Sequence, residues 1–147
     1  MERFEIEGTE VSPSVVLDPF TDSFRISGES RPENARKFFQ PVLDWVDSYN
    51  QVLFFLKTEK GQDYQKDLVF EFSFDYLNST SLKFVYDMLK KIEALKPNCT
   101  SLKVRWLYEP GDEDMKENGE ELAKLIQVPF EIKQESPAWF LNQTLPV

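Results

Sequence analysis

Residues 70–83 read Phe-Glu-Phe-Ser-Phe-Asp-Tyr-Leu-Asn-Ser-Thr-Ser-Leu-Lys, and they hold two periodicities in succession. Phe70, Phe72, Phe74 and Tyr76 alternate with Glu71, Ser73 and Asp75, which predicts a strand with one apolar and one wet face. From Leu82 onward the spacing becomes helical: Leu82, Val85, Met88 or Leu89, Ile92 and Leu95 form a stripe that Lys96-Pro97-Asn98 closes. At the handover, Asn78 or Ser79 is placed to cap the helix, whose first main-chain N–H groups have no intrahelical acceptor.

The same alternation recurs on both sides of this stretch. Phe4 and Ile6 alternate with Glu5 and Glu7; Leu102, Val104, Trp106 and Tyr108 share a face against Lys103 and Arg105; Val128, Phe130 and Ile132 oppose Glu131 and Lys133. Val15–Asp18 and Phe24–Ser27 flank an Asp-Pro-Phe-Thr-Asp turn and predict a hairpin. Val52–Leu56 is apolar on both faces and is expected as a more central strand. Ser30-Arg31-Pro32-Glu33 has the spacing of a capping box, with Pro32 in the first turn. The helix expected after it carries Phe38, Phe39, Val42, Trp45, Val46 and Tyr49, and Pro41 is expected to kink or split it. Met115, Leu122, Leu125 and Ile126 form a third, weaker helical stripe.

The second half therefore alternates strand and helix, a pattern that pairs strands in parallel through right-handed crossovers. Strands between two helix layers would be apolar throughout, whereas these keep polar faces. The fold class expected is α/β: a two-layer domain, with a mixed β-sheet and helices mostly on one face.

Composition narrows the function. The chain has 147 residues, no histidine, and a net charge of −9 from 17 basic and 26 acidic side chains. Lacking histidine, it has no Ser-His-Asp or Cys-His chemistry and no imidazole metal ligand. Nucleic acid and anionic membranes both call for clustered cations, so neither is an expected partner. Cys99 is the one cysteine, read as a bystander thiol. The N-terminal segment is charged and alternating, with no apolar signal core, and a cytoplasmic location is expected. The Asn-x-Ser/Thr triplets at Asn78, Asn98 and Asn142 carry little meaning in that compartment.

Few chemistries remain. The stretch from Glu109 to Glu121 holds seven acids and one lysine, but a calcium loop counted from Asp112 puts Lys116 at position 5 and Glu117 where glycine belongs. These acids read as a Pro-Gly turn and a helix whose first turn suits the macrodipole; no metal or other cofactor is expected. The five glycines form no phosphate-binding loop, and nothing singles out a catalytic carboxylate pair. Enzymatic activity has no positive support. Asn78-Ser79-Thr80-Ser81 reads either as a Ser/Thr-rich cap or as a phosphoacceptor turn, since a helix start tolerates the added charge and acceptors of a phosphate. Lys83 is disfavoured in an unmodified first turn and would offset such a phosphate.

A strand ending in an Asn-Ser/Thr-Ser turn that opens a helix resembles the phosphorylation switch of anti-anti-sigma factors and other STAS domains. The sequence is more similar to the SiaC-family regulatory phosphoproteins, through three blocks. These are Gly28–Asn34 with Phe39-Gln40-Pro41-Val42 and Trp45; Tyr76–Lys83; and Trp106–Glu109 with Asp112–Met115 and Gly119-Glu120. The resemblance spans roughly residues 5–133 and implies a STAS-like regulatory domain over 1–133; the tail 134–147 lies outside it, and its Pro-Ala-Trp-Phe-Leu segment could pack on the domain or on a partner. It implies a non-enzymatic switch whose unphosphorylated form binds and activates a diguanylate cyclase in cyclic di-GMP and biofilm signalling. A Ser/Thr protein kinase and a PP2C-type phosphatase set its state. The acceptor maps to Ser79, with Thr80 as the alternative, because the threonine usual after the motif's Asn is displaced by one here. Arg31 stands where an aromatic residue is common. Partner contacts are expected from Glu29, Pro32, Glu33, Asn34, Asn78, Lys83, Asp112, Asp114 and Met115. Competing expectations are an adaptor for an anti-sigma kinase and a metal- or small-molecule-binding domain.

Overall fold

The computed structural model of the chain describes residues 1–136. Its elements run β1 (Phe4–Ile6), β2 (Ser14–Asp18), β3 (Ser23–Ser30), α1 (Ala35–Lys60), β4 (Asp67–Leu77), α2 (Ser79–Glu93), β5 (Ser101–Tyr108), α3 (Glu113–Leu125) and β6 (Phe130–Gln134), with short 3-10 turns after α1 and α2. All six strands form one sheet in chain order; β1–β2 and β2–β3 pair antiparallel, and β3 through β6 pair parallel. Three successive right-handed crossovers that advance in one direction along a sheet leave their helices on the same face. The expected mixed sheet with a one-sided helix layer follows.

Burial obeys the period-2 pattern. Leu68, Phe70, Phe72 and Phe74 of β4 are all at most 2% exposed, and Val104 and Trp106 of β5 are fully buried beside them. Phe24 stacks on Phe70 and lies against Trp45 and Tyr49 of α1, while Phe39 of α1 stacks on Phe84 of α2. The opposite face carries charge. Arg25 of β3 pairs with Glu71 of β4, Arg105 of β5 lies between Glu71 and Glu131, and Lys103 closes on Glu131 at 2.8 Å. Such half-exposed pairs contribute about 0–1 kcal/mol each and mainly keep that face wet. The predicted hairpin is β2–β3, where Asp18 accepts from the Phe20 N–H at 2.9 Å.

Four expectations are corrected. Val52–Leu56 is not a strand but the continuation of α1: Val46, Tyr49 and Leu53 are buried on its inner face, Leu56 is half-buried one turn on, and Phe54 and Phe55 are 62% and 59% exposed. The apolar run that resembled a buried strand is thus an inner stripe plus two outward phenylalanines, and no turn signal separates it from Tyr49. Pro41 does not split α1; it sits on the exposed side, while Phe39, Val42, Leu43 and Val46 hold the flanking turns in the core. Ser30 does not cap α1. Asn34 does, accepting from the Lys37 N–H at 3.0 Å, and Pro32 keeps Arg31 extended rather than starting the helix. Tyr76 does not share the face of Phe70, Phe72 and Phe74: pairing shifts so that Gly28 faces Phe74 but Glu29 faces Tyr76, leaving Asp75 as an extra residue. This bulge turns Tyr76 outward, at 48% exposure, and Leu77 toward the core.

Gln134 ends β6 and Glu135 donates its main-chain N–H to the Tyr108 carbonyl, so both residues follow directly on the sheet. The Pro137–Leu141 segment of the expected tail lies outside the described residues. Cys99 is half-buried, and burial pushes its thiol up to about 11.

α3 approaches the sheet through a glycine. A Cβ on Gly119 would lie 2.4 Å from Cδ1 of Trp106, whose indole N–H donates to the Met115 carbonyl at 2.9 Å. Helix propensity alone favours Gly119→Ala by about 1 kcal/mol, whereas overpacking costs about 1–3 kcal/mol. Because the obstructing atoms belong to a fully buried indole, we expect a net loss for Gly119→Ala and a larger one for Gly119→Val, read from urea midpoints.

Candidate functional site

Because β3, β4 and β5 run parallel, the segments that follow them emerge at one edge of the sheet. That edge therefore gathers residues 29–34, 76–83 and 109–115, three stretches far apart in the chain.

The middle stretch is the most tightly held. Asn78 caps α2, its side-chain oxygen accepting from the Ser81 N–H at 2.8 Å. Its own main-chain N–H donates to the Ser30 carbonyl at 3.0 Å. Ser30 and Ser81 are fully buried, and their hydroxyls hydrogen-bond to each other at 2.8 Å. The end of β3 and the first turn of α2 are thus joined by a main-chain bond and a buried hydroxyl pair. Of the three hydroxyl residues Ser79, Thr80 and Ser81, the third is occupied inside, and the first two are exposed at the start of the helix.

The stretch after β3 meets the same helix across a groove of about 1030 Å³ between the N-terminal turns of α1 and α2. Glu33, Asn34, Thr80 and Lys83, all expected at the site, line it, together with Arg36 and Lys37, which sequence reading did not single out. Phe38, Pro41 and Phe84 supply apolar walls. Ser79 is not among the lining residues. Glu29 lies outside the groove at the end of β3, beside Arg31, and Pro32 is half-buried between strand and helix.

The third stretch is placed differently. Asp112 caps α3, accepting from the Met115 N–H at 3.1 Å, and Asp114 is exposed in the first turn. Met115, expected as a partner contact, is 4% exposed and belongs to the core, so its side chain is not available at the surface. Glu109 has its carboxyl pushed above the usual range, chiefly by the carboxylate of Asp75 on the bulge of β4, with Glu135 and Asp112 adding to the repulsion. Among the described residues, no group of three or more acidic or thiol side chains is placed to hold a metal ion.

A protein-family model described as "SiaC family regulatory phosphoprotein" matches residues 6–135. The chain belongs to the SiaC family. A relative among curated proteins, an uncharacterized protein of Pseudomonas aeruginosa (strain UCBPP-PA14), is 28% identical over 133 residues, covering 90% of this chain and 97% of its own. The structure of SiaC of Pseudomonas aeruginosa is similar, with a TM-score of 0.73 at 26% identity over 92% of this chain and 100% of that one. A second similar structure is the crystal structure of diguanylate cyclase SiaD in complex with its activator SiaC from the same organism. It matches with a TM-score of 0.74 at 27% identity over 90% and 99% of the two chains. Family and fold thus agree with the resemblance carried by the three sequence blocks. Among the described residues, no helix is long and apolar enough to cross a membrane.

The hydroxyl pair was missed in the sequence because Ser30 read as a helix cap. Arg36 and Lys37 were missed because only the α1–α2 packing reveals which of the exposed α1 cations face the groove.

Two measurements probe the edge. Ser30→Ala or Ser81→Ala leaves one buried hydroxyl unsatisfied, at about 1–3 kcal/mol each, and the double substitution is expected to cost clearly less than the sum in a denaturant double-mutant cycle. For Glu109 the folded state holds its proton to higher pH than the unfolded chain does, so stability falls as pH rises through that raised range. Glu109→Gln should therefore raise the melting temperature at neutral pH and lose that advantage in acid, as followed by thermal melts across pH.

Proposed function

We propose that this protein is a non-enzymatic, phosphorylation-gated adaptor whose unphosphorylated form binds and activates a diguanylate cyclase in the cytoplasm. The observation that carries the reading is an exposed hydroxyl, Ser79, at the first position of a helix whose base is locked into the sheet by Ser30, Asn78 and Ser81. A firmly held helix end offers a partner a preformed surface, and modification there changes charge without having to unfold anything. The solved complex of a cyclase with its SiaC-family activator supports the choice of partner.

In this reading Ser79 is the acceptor and Thr80 the alternative. A Ser/Thr protein kinase adds the phosphate and a PP2C-type phosphatase removes it. Asn34, Glu33 and Lys83 contribute to the docking surface from the groove, Asn78 from the cap, and Glu29, Pro32, Asp112 and Asp114 from the neighbouring stretches of the same edge. Phosphate opposes docking in two ways: it adds about −1.5 to −2 charge, and an interface must strip its water. A penalty of about 3 kcal/mol raises the dissociation constant more than a hundredfold, which is enough for a switch.

Binding of the cyclase to the wild type and to Ser79→Ala, Ser79→Asp and Thr80→Ala, measured by calorimetry, tests this. Ser79→Asp is expected to bind at least tenfold more weakly, and the two alanine variants to bind like the wild type. Equal binding by all of them removes Ser79 from the gate, and capture of an anti-sigma kinase in place of the cyclase overturns the choice of partner.

A further inference from the structure

The groove between α1 and α2 has a charge out of keeping with the molecule. Of the 17 cations in this acidic chain, nine are in ion pairs among the described residues. Among those residues Arg36, Lys37 and Lys83 are in none, although all three line the groove, with Glu33 as the one acid among its described lining residues. The geometry relates them to one hydroxyl. Thr80, Lys83 and Phe84 are three and four residues apart and share a helix face, which is the face that lines the groove. The Arg36 guanidinium lies over the Phe84 ring, 5.7 Å from its centroid, about one helical turn from Thr80. A group attached to the Thr80 oxygen would thus enter a groove that Lys83 lines from the same helix and Arg36 from the facing one.

We propose that the groove is an intramolecular receptor for a phosphate on Thr80, held by Arg36, Lys83 and Lys37, so that modification of Thr80 fastens α2 to α1 instead of presenting charge to a partner. The proposal rests on the reading that this turn is phosphorylated and assigns a different consequence to the second of its hydroxyls. The chemistry is ordinary phosphoryl transfer. The Thr80 hydroxyl oxygen forms a bond to the γ-phosphorus of a nucleoside triphosphate bound by the kinase, the bridging P–O bond breaks to release the nucleoside diphosphate, and the hydroxyl proton passes to the kinase's base. Guanidinium and ammonium groups then donate charge-assisted hydrogen bonds to the phosphate oxygens. Ser79 is outside the groove, so a phosphate there keeps its charge toward solvent. The two hydroxyls, adjacent in sequence, are not interchangeable.

The test uses the full chain carrying phosphothreonine at 80 or phosphoserine at 79, each introduced site-specifically, with no kinase or cyclase present. Phosphorus NMR titration reads the second ionisation of each phosphate, which is about 6 for an unperturbed group. The field of the α2 N-terminus acts on both, so the discriminating quantity is the change on substituting Arg36→Gln and Lys37→Gln, two exposed α1 residues. We expect the double substitution to raise the phosphothreonine value by about 0.5 or more, a threefold or larger change in the ionisation constant, and to leave the phosphoserine value unchanged. A phosphothreonine value that ignores the substitutions overturns the proposal. Because no partner enters the experiment, its failure is distinct from failure of cyclase gating.

Discussion

The sheet has only one apolar face, and everything else in the molecule is arranged around that restriction. Phe70, Phe72 and Phe74 stand on the face that α1, α2 and α3 cover, while Arg25, Glu71, Arg105 and Glu131 occupy the other as a ladder of alternating charge. Burial at roughly 25 cal/mol per Å² makes the aromatic face the main source of stability, and the charged face cannot accept a second helix layer without stripping water from its ion pairs. Right-handed crossovers meet this restriction with the strands in chain order, and the same topology sends every helix start that follows a parallel strand to one edge.

What turns that edge into a site is a small departure from regularity. The extra residue at Asp75 rotates the last two positions of β4, so that Leu77 enters the core and Asn78 arrives in position to cap α2 and bond to Ser30. Two buried serines then do what apolar packing does less specifically: each hydroxyl needs a partner, and the partner available is the other. Ser79 and Thr80 are left outside on a support that does not shift.

The layers, the parallel pairing and the α2 boundary were legible in the sequence because each rests on a local period or a cap next to it. The errors at Ser30 and Tyr76 share a cause, since each concerns a residue whose environment comes from far along the chain. Ser30 has the composition of a cap but is claimed by Ser81, 51 positions away. Val52–Leu56 shows a strand's apolarity because Phe54 and Phe55 are exposed where a soluble helix would ordinarily be polar. Tyr76 keeps the alternation of β4 in sequence but loses it in space, as no bulge announces itself in a period-2 pattern. Asp112, by contrast, caps the helix whose acidic first turn was anticipated.

The strictly sequential strand order also sets a timetable. Every group that fixes the Ser79–Thr80 turn, from Ser30 to Ser81, and every residue lining the groove, up to Phe84, lies in the N-terminal part of the 147-residue chain. At about 5–20 residues per second, synthesis from Phe84 to the end of β6 at Gln134 takes roughly 2.5 to 10 s, a long interval beside the formation of helices and strand pairs. The regulatory end thus has its own parts made before β5, α3 and the acidic stretch exist, and the ribosome delivers the anchor of the switch ahead of the last two of the six strands that carry it.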